Sequence, residues 1–162
     1  MPSFEPSTPW VITLNLLGWP VIQLSFSWVF LRLPPGLFRA APVPPTVPIE
    51  RIVYERVLAI KRWKDFLPDG AAWFRGGFSK RRLQRRDAAY LDRFMLESRR
   101  GEAAHWAMLL AGPVFMLWNP PWAIAVMFAY ALASNLPCIA AQRYNRLRLL
   151  PIQRGLNRRR RS

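Results

Sequence analysis

The sequence predicts an all-α integral membrane protein with about three transmembrane helices and a cytoplasmic amphipathic helical segment. Three observations predict it. Residues 10–31 and 103–141 carry no Asp, Glu, Lys or Arg, whereas residues 50–102 and 142–162 hold almost all the charge. That charge is lopsided, with 24 Lys and Arg against 9 Asp and Glu, a net +15. The basic blocks directly adjoin the apolar runs, as cytoplasmic loops adjoin membrane spans. A soluble chain with 52% hydrophobic residues would interleave the two kinds instead. The 162 residues form a single membrane domain, too short for a second independent core.

Residues 10–31 are the first span. Their 22 residues, at about 1.5 Å each, cross a hydrocarbon layer of roughly 30 Å. Trp10 and Trp28 lie near the ends, where interfacial aromatics sit. Pro20 is a mid-span kink, and Asn15, Gln23, Ser25 and Ser27 prefer a helix partner to lipid. Residues 1–9 carry Glu5 and no basic residue, so the positive region of a secretory signal is missing and a retained anchor is expected. Residues 32–49, with six prolines, read as an extended connector along the membrane face.

Residues 50–102 form the cytoplasmic basic segment. An amphipathic helix is expected from Ile49 to Leu67, ended by Pro68-Asp69-Gly70. A short aromatic loop with Trp73 and Phe74 follows, then a helix capped by Ser79 with its first turn at Lys80 to Leu83. A long helix starts near Arg86 and runs past Glu102, with Tyr90, Leu91, Phe94 and Met95 as its apolar stripe. Residues 103–118 are the second span, short unless the preceding helix enters the bilayer tilted. Asn119-Pro120-Pro121 is the turn of a helical hairpin. Residues 122–141 are the third span, containing Asn135 and Pro137, and residues 142–162 are a basic tail. The positive-inside rule then puts the N-terminus outside and the C-terminus in the cytoplasm of a multi-pass cell-membrane protein.

The surplus charge suits anionic lipid headgroups better than nucleic acid, because the aromatics lie in the apolar runs rather than among the arginines. The single Cys138 excludes an intrachain disulfide, and one histidine with scattered carboxylates makes a thin ligand set for a metal. No internal repeat and no Gly-rich phosphate loop is present.

His105 is the only histidine, at the point where a charged helix turns apolar. Glu102, three residues earlier, shares its helix face. A carboxylate beside an imidazole suits a general base that deprotonates an alcohol; the pair also suits a membrane interface with no catalytic duty. Asp65, Asp69 and Trp63 have the chemistry that holds sugar hydroxyls, or that ties a helix end by salt bridges. Arg143, Asn145 and Arg146, with Tyr144 between them, suit a phosphate, a pyrophosphate or a carboxylate, or equally a stop-transfer cluster.

The succession Lys61-Arg62-Trp63-Lys64-Asp65, Leu67-Pro68-Asp69-Gly70, Glu97-x-x-Arg100-x-Glu102-x-x-His105-Trp106, Asn135-x-Pro137 and Gln142-Arg143-Tyr144-Asn145-Arg146-x-Arg148 resembles the glycosyl-4,4'-diaponeurosporenoate acyltransferase family. The likeness runs from about Ile49 to Arg148. These are small membrane enzymes that acylate the sugar of a glycosylated C30 carotenoid acid, the last step toward staphyloxanthin-type pigments. The resemblance implies transfer from an acyl thioester, a co-substrate rather than a bound cofactor, to a sugar hydroxyl of a lipid-embedded acceptor. It implies His105 as base, Glu102 as its orienter, and Arg143, Asn145 and Arg146 as an anion- or donor-binding cluster. The rival expectation is a non-catalytic membrane protein that binds anionic lipid or a partner enzyme.

Overall fold

The computed structural model describes residues 7–39, 48–67, 74–75, 77–80 and 83–159, and the described residues form helices and turns with no strand. Helix α1 (Thr8–Arg32) starts with Pro9 in its first turn, where a missing amide costs nothing, and stops at Leu33, before Pro34 and Pro35. It carries Pro20 inside, as the sequence suggested. A 3-10 turn at Pro35–Phe38 then folds Phe38 inward, so part of the expected extended connector is ordered against the body. The rest of that connector, residues 40–47, lies outside the described residues.

The amphipathic helix expected over Ile49 to Leu67 is broken. In its place stand α2 (Pro48–Ile52), a π-helical turn at Val53–Val57, α3 (Ile60–Trp63) and a 3-10 turn at Lys64–Phe66. The break is Ala59, in the left-handed region at φ 45°, a conformation that costs a non-glycine residue roughly 1 kcal/mol or more. It turns Ile60 into complete burial with Ala141 and Tyr144, and burying such a side chain stabilises by about 1.5–3 kcal/mol. Glu55 fixes the segment by accepting bonds from Lys61, Arg51 and the Tyr144 hydroxyl. The expected turn at Asp69 lies outside the described residues, and the described residues of 77–86, Ser79, Lys80 and Leu83 among them, are irregular where a helix was expected.

Helix α4 (Ala88–Ala111) begins close to its expected start, because Asp87 accepts the Tyr90 amide as a cap. A 3-10 segment at Gly112–Leu117 extends it; α5 (Pro121–Arg159) returns antiparallel. Helix α5 does not end with the apolar run. It continues through Pro137 and Pro151, so most of the expected basic tail is helix. Leu149 and Leu150 pack on Phe78, Leu91, Phe94 and Met95, a core that holds the charged ends of α4 and α5 together. At the opposite end Trp19, Phe115 and Ala131 join α1 to the hairpin.

Among the described residues two helices, rather than the expected three, are long and apolar enough to cross a membrane: α1 and α5, with mean hydropathy 1.4 and 1.8 over their most apolar stretches. Only 6% and 28% of those stretches are buried, unlike the core helix of a soluble domain. The second apolar run falls short because α4 devotes its first half to charge. Its 3-10 winding lengthens it: nine α residues at about 1.5 Å and six at about 2.0 Å reach roughly 25 Å.

Candidate active site between three helices

A cavity of about 480 Å³ lies between α1, α4 and α5, and His105 is on its wall. Each helix lines it with one face. From α4 come Glu97, Arg100, Gly101, Ala104, His105 and Met108, spaced by three and four residues. From α5 come Tyr130, Ser134, Cys138, Ala141, Gln142 and Asn145; α1 adds Gln23, Leu24, Ser27 and Phe30. The cavity is graded along these helices. Lys64, Lys80, Glu97 and Arg100 stand at one end, and Pro20, Leu24, Met108 and Tyr130 at the other, with His105 between.

His105 Nδ1 lies 3.0 Å from Asn135 Oδ1. The Asn135 amide nitrogen donates to the Ala131 carbonyl at 2.9 Å, so its oxygen faces the ring. An oxygen there accepts a hydrogen bond from Nδ1–H, the tautomer that leaves Nε2 with a bare lone pair. Asn135 is 1% exposed, so an amide inside the apolar run is partnered by the histidine. Two residues later Pro137 lacks an amide, which frees the Ala133 carbonyl on the cavity wall.

Glu102 does not orient His105. Its carboxylate accepts Arg143 Nε at 2.5 Å and is paired with the Arg146 guanidinium, with Trp106 Nε1 at 3.4 Å. Burial alone would raise the Glu102 carboxyl; the two arginines outweigh it and hold the group below its ordinary value. The same contact raises Arg143. Two guanidiniums thus share one carboxylate on the α4–α5 seam, and neither lines the cavity; of the expected cluster only Asn145 does.

Trp63 and Asp65 also stand off the cavity wall. The Trp63 indole N–H is spent on the Leu58 carbonyl at 2.8 Å, and its ring packs near Tyr144. Asp65 is exposed and holds Lys64, which does line the cavity, at 2.6 Å. Asp69 lies outside the described residues.

Sequence reasoning did not single out Lys80, Glu97 and Arg100 as site residues. Lys80 is 8% exposed and passes its Cε 3.6 Å from where Gly101 would carry a Cβ. Glu97 and Arg100, each 7% exposed, pair at 2.7 Å, and Arg100 also donates to the Leu33 carbonyl and sits over the Phe38 ring. Their i, i+3 spacing just before His105 was the available signal.

A helical body with a cavity running from cations through an imidazole to apolar side chains accommodates an amphiphilic reactant, and comparison with known proteins identifies the chain as an acyltransferase. More closely, it belongs to the glycosyl-4,4'-diaponeurosporenoate acyltransferase family, whose profile matches residues 44–154. A Staphylococcus haemolyticus (strain JCSC1435) protein named glycosyl-4,4'-diaponeurosporenoate acyltransferase is 29% identical over 142 residues, covering 81% of this chain and 78% of that protein. Proteins of the same name from Staphylococcus aureus strains bovine RF122 / ET3-1 and MRSA252 are 28% identical over 87% of both chains. No solved structure matches.

Proposed function

We propose that this acyltransferase works in the cell membrane and esterifies a sugar hydroxyl of a glycosylated carotenoid acid, or a similar glycolipid, with a fatty acyl chain from an acyl thioester. The observation that carries the reading is His105 on the wall of a cavity whose two ends differ in polarity. The names of the relatives supply the acceptor.

In the reaction the sugar hydroxyl attacks the thioester carbonyl while its proton passes to His105 Nε2. Lys80, buried on the same cavity, offers positive charge to the oxyanion that develops. The tetrahedral intermediate collapses, the C–S bond breaks, and the imidazolium returns the proton to the departing thiolate. Asn135 is the positioning residue that keeps Nε2 unprotonated. Gln23, Ser27 and Ser134 offer hydrogen bonds to sugar hydroxyls, and the apolar end takes hydrocarbon.

Membrane placement is supported by the unburied apolar belt, which includes Leu17, Val21, Val29, Leu110, Leu117, Trp122 and Val126. Helices α1 and α5 run in the same direction beside an antiparallel α4 (Trp19 meets Phe115, Arg100 meets Leu33, Ser98 meets Gln142). Two parallel crossings require a return, and residues 103–117 provide it. With the basic ends in the cytoplasm the N-terminus is outside and the thioester arrives from the side where such donors occur.

The test is co-expression with the enzymes that make the glycosylated carotenoid acid, with lipid extracts read by mass spectrometry. Wild type yields the acylated product, and His105→Ala inserts in the membrane without yielding it. Product formation by His105→Ala removes the proposed base.

A further inference from the structure

A second cavity, of about 760 Å³, opens where α1 ends and α4 begins, and it is lined by Arg32, Arg39, Arg93, Arg99 and Arg100. Its carboxylates are Asp92 and Glu97. Asp92 accepts side-chain amides from Gln153 at 2.5 Å and Asn157 at 3.3 Å, and Glu97 is committed to Arg100. Five arginines against two occupied carboxylates leave a surplus of three positive charges around one groove, with the Arg32 guanidinium lying over the Trp28 ring and that of Arg93 over the Phe78 ring. Leu31, Glu97 and Arg100 line both cavities, so the two share a wall. The Nε of Arg100, in that wall, has no hydrogen-bond partner among the described residues. Arg99 is crowded as well: burial and the like charge of Arg146 lower its hold on its proton.

We propose that this groove takes the phosphate groups of the acyl donor, so that the thioester arm passes the Glu97–Arg100 pair to reach His105. The inference rests on the acyl-transfer reading and names its donor class: a thioester whose handle is phosphorylated, as in coenzyme A. Arginine forks match phosphate oxygens better than lysine does, and the groove's cations are all arginine. The spacing agrees. Arg93 and Arg99 precede His105 on one helix by 12 and 6 residues, which at about 1.5 Å each is roughly 18 and 9 Å. The pantetheine arm between diphosphate and sulfur is about as long as four extended residues, roughly 15 Å. The expected cluster of Arg143 and Arg146 is less suited, since both are tied to Glu102.

An anionic lipid headgroup offers the same phosphate chemistry, so the experiment separates the two. Full-length protein in neutral phosphatidylcholine nanodiscs is titrated with coenzyme A, and initial rates are taken with an acyl-coenzyme A and with the same acyl-pantetheine, which lacks phosphate. The double variant Arg39→Glu/Arg93→Glu alters two exposed side chains; Arg39→Gln/Arg93→Gln is the milder version. Coenzyme A binding should weaken about tenfold or more in the charge reversal and less in the Gln pair. The kcat/KM preference for the phosphorylated donor should shrink by the same factor. Unchanged coenzyme A binding in both variants overturns the proposal. So does a charge reversal that affects only retention on phosphatidylglycerol vesicles, which assigns the groove to lipid. Coenzyme A binding that follows the arginines while wild type makes no ester from either donor supports the phosphate groove and sinks the acyl-transfer reading.

Discussion

The Nδ1 atom of His105 lies 3.0 Å from Oδ1 of Asn135, 30 residues further along the chain, on the facing helix. An amide oxygen that accepts from Nδ1 fixes the imidazole tautomer without supplying a full counter-charge, so Asn135 holds the ring's geometry. His105→Gln is expected to lower kcat for ester formation by about 10²–10⁴-fold. Asn135→Leu should lower kcat by about tenfold with little change in KM, and Asn135→Asp, which keeps an acceptor facing Nδ1, should recover most of that loss. In the double variant the Leu substitution should add nothing to the loss from His105→Gln. Steady-state kinetics in nanodiscs reads all four. Additive losses would show that Asn135 works independently of the ring.

Glu102 couples α4 to α5 through Arg143 and Arg146. Its carboxyl is depressed in the folded chain, so its stabilisation is complete above the ordinary carboxylate value of 4.5 and is lost as pH falls through the lower folded value. Thermal unfolding of wild type and Glu102→Gln in detergent should therefore differ at pH 7, keep that difference down to about pH 4.5, and converge below it. A difference that persists at the acid end contradicts the pairing.

Asn15 and Asn119 exchange reciprocal amide bonds at 2.7 and 2.9 Å, and Trp118 Nε1 donates to the same Asn15 oxygen at 2.9 Å. The cluster pins α1 to the tip of the hairpin. Asn119→Leu strands the Asn15 amide N–H and removes the donor to the Phe115 carbonyl; the expected loss is about 1–2 kcal/mol, with Asn15→Leu adding less on top of it than alone. Equilibrium unfolding of the single and double variants measures the coupling; full additivity would mean that the two amides do not share their energy.

Gly18 lets α1 approach the hairpin: a Cβ there would meet the Phe115 ring at 2.9 Å. That ring is 1% exposed and stacks on Trp19 at 4.7 Å, so it has little room to yield. Gly18→Ala should destabilise by about 1–3 kcal/mol through overpacking, whereas Gly36→Ala, whose Cβ meets nothing within 4 Å, should be nearly neutral. Equal melting temperatures for the two variants would argue against this helix contact.

The segregation of charge from apolar residues determined the helical class, the boundaries of α1, the start of α4 and the hairpin turn at Pro120 and Pro121, because each depends on local composition and on proline's missing amide. It also singled out His105 and Asn135. The pairing between them was decided by the register of α4 against α5, which no spacing along one helix reveals. Three residues on a helix put Glu102 and His105 near one another, yet about 100° of rotation per residue leaves them some 60° apart, enough to face different neighbours. Glu102 turned to two guanidiniums, which repay a buried carboxylate more than a neutral ring does. Ala59 likewise accepts a strained backbone only because Ile60 gains a site assembled from α5. Lys80, Glu97 and Arg100 join the cavity through packing between segments remote in sequence, and only the folded chain brings those segments together.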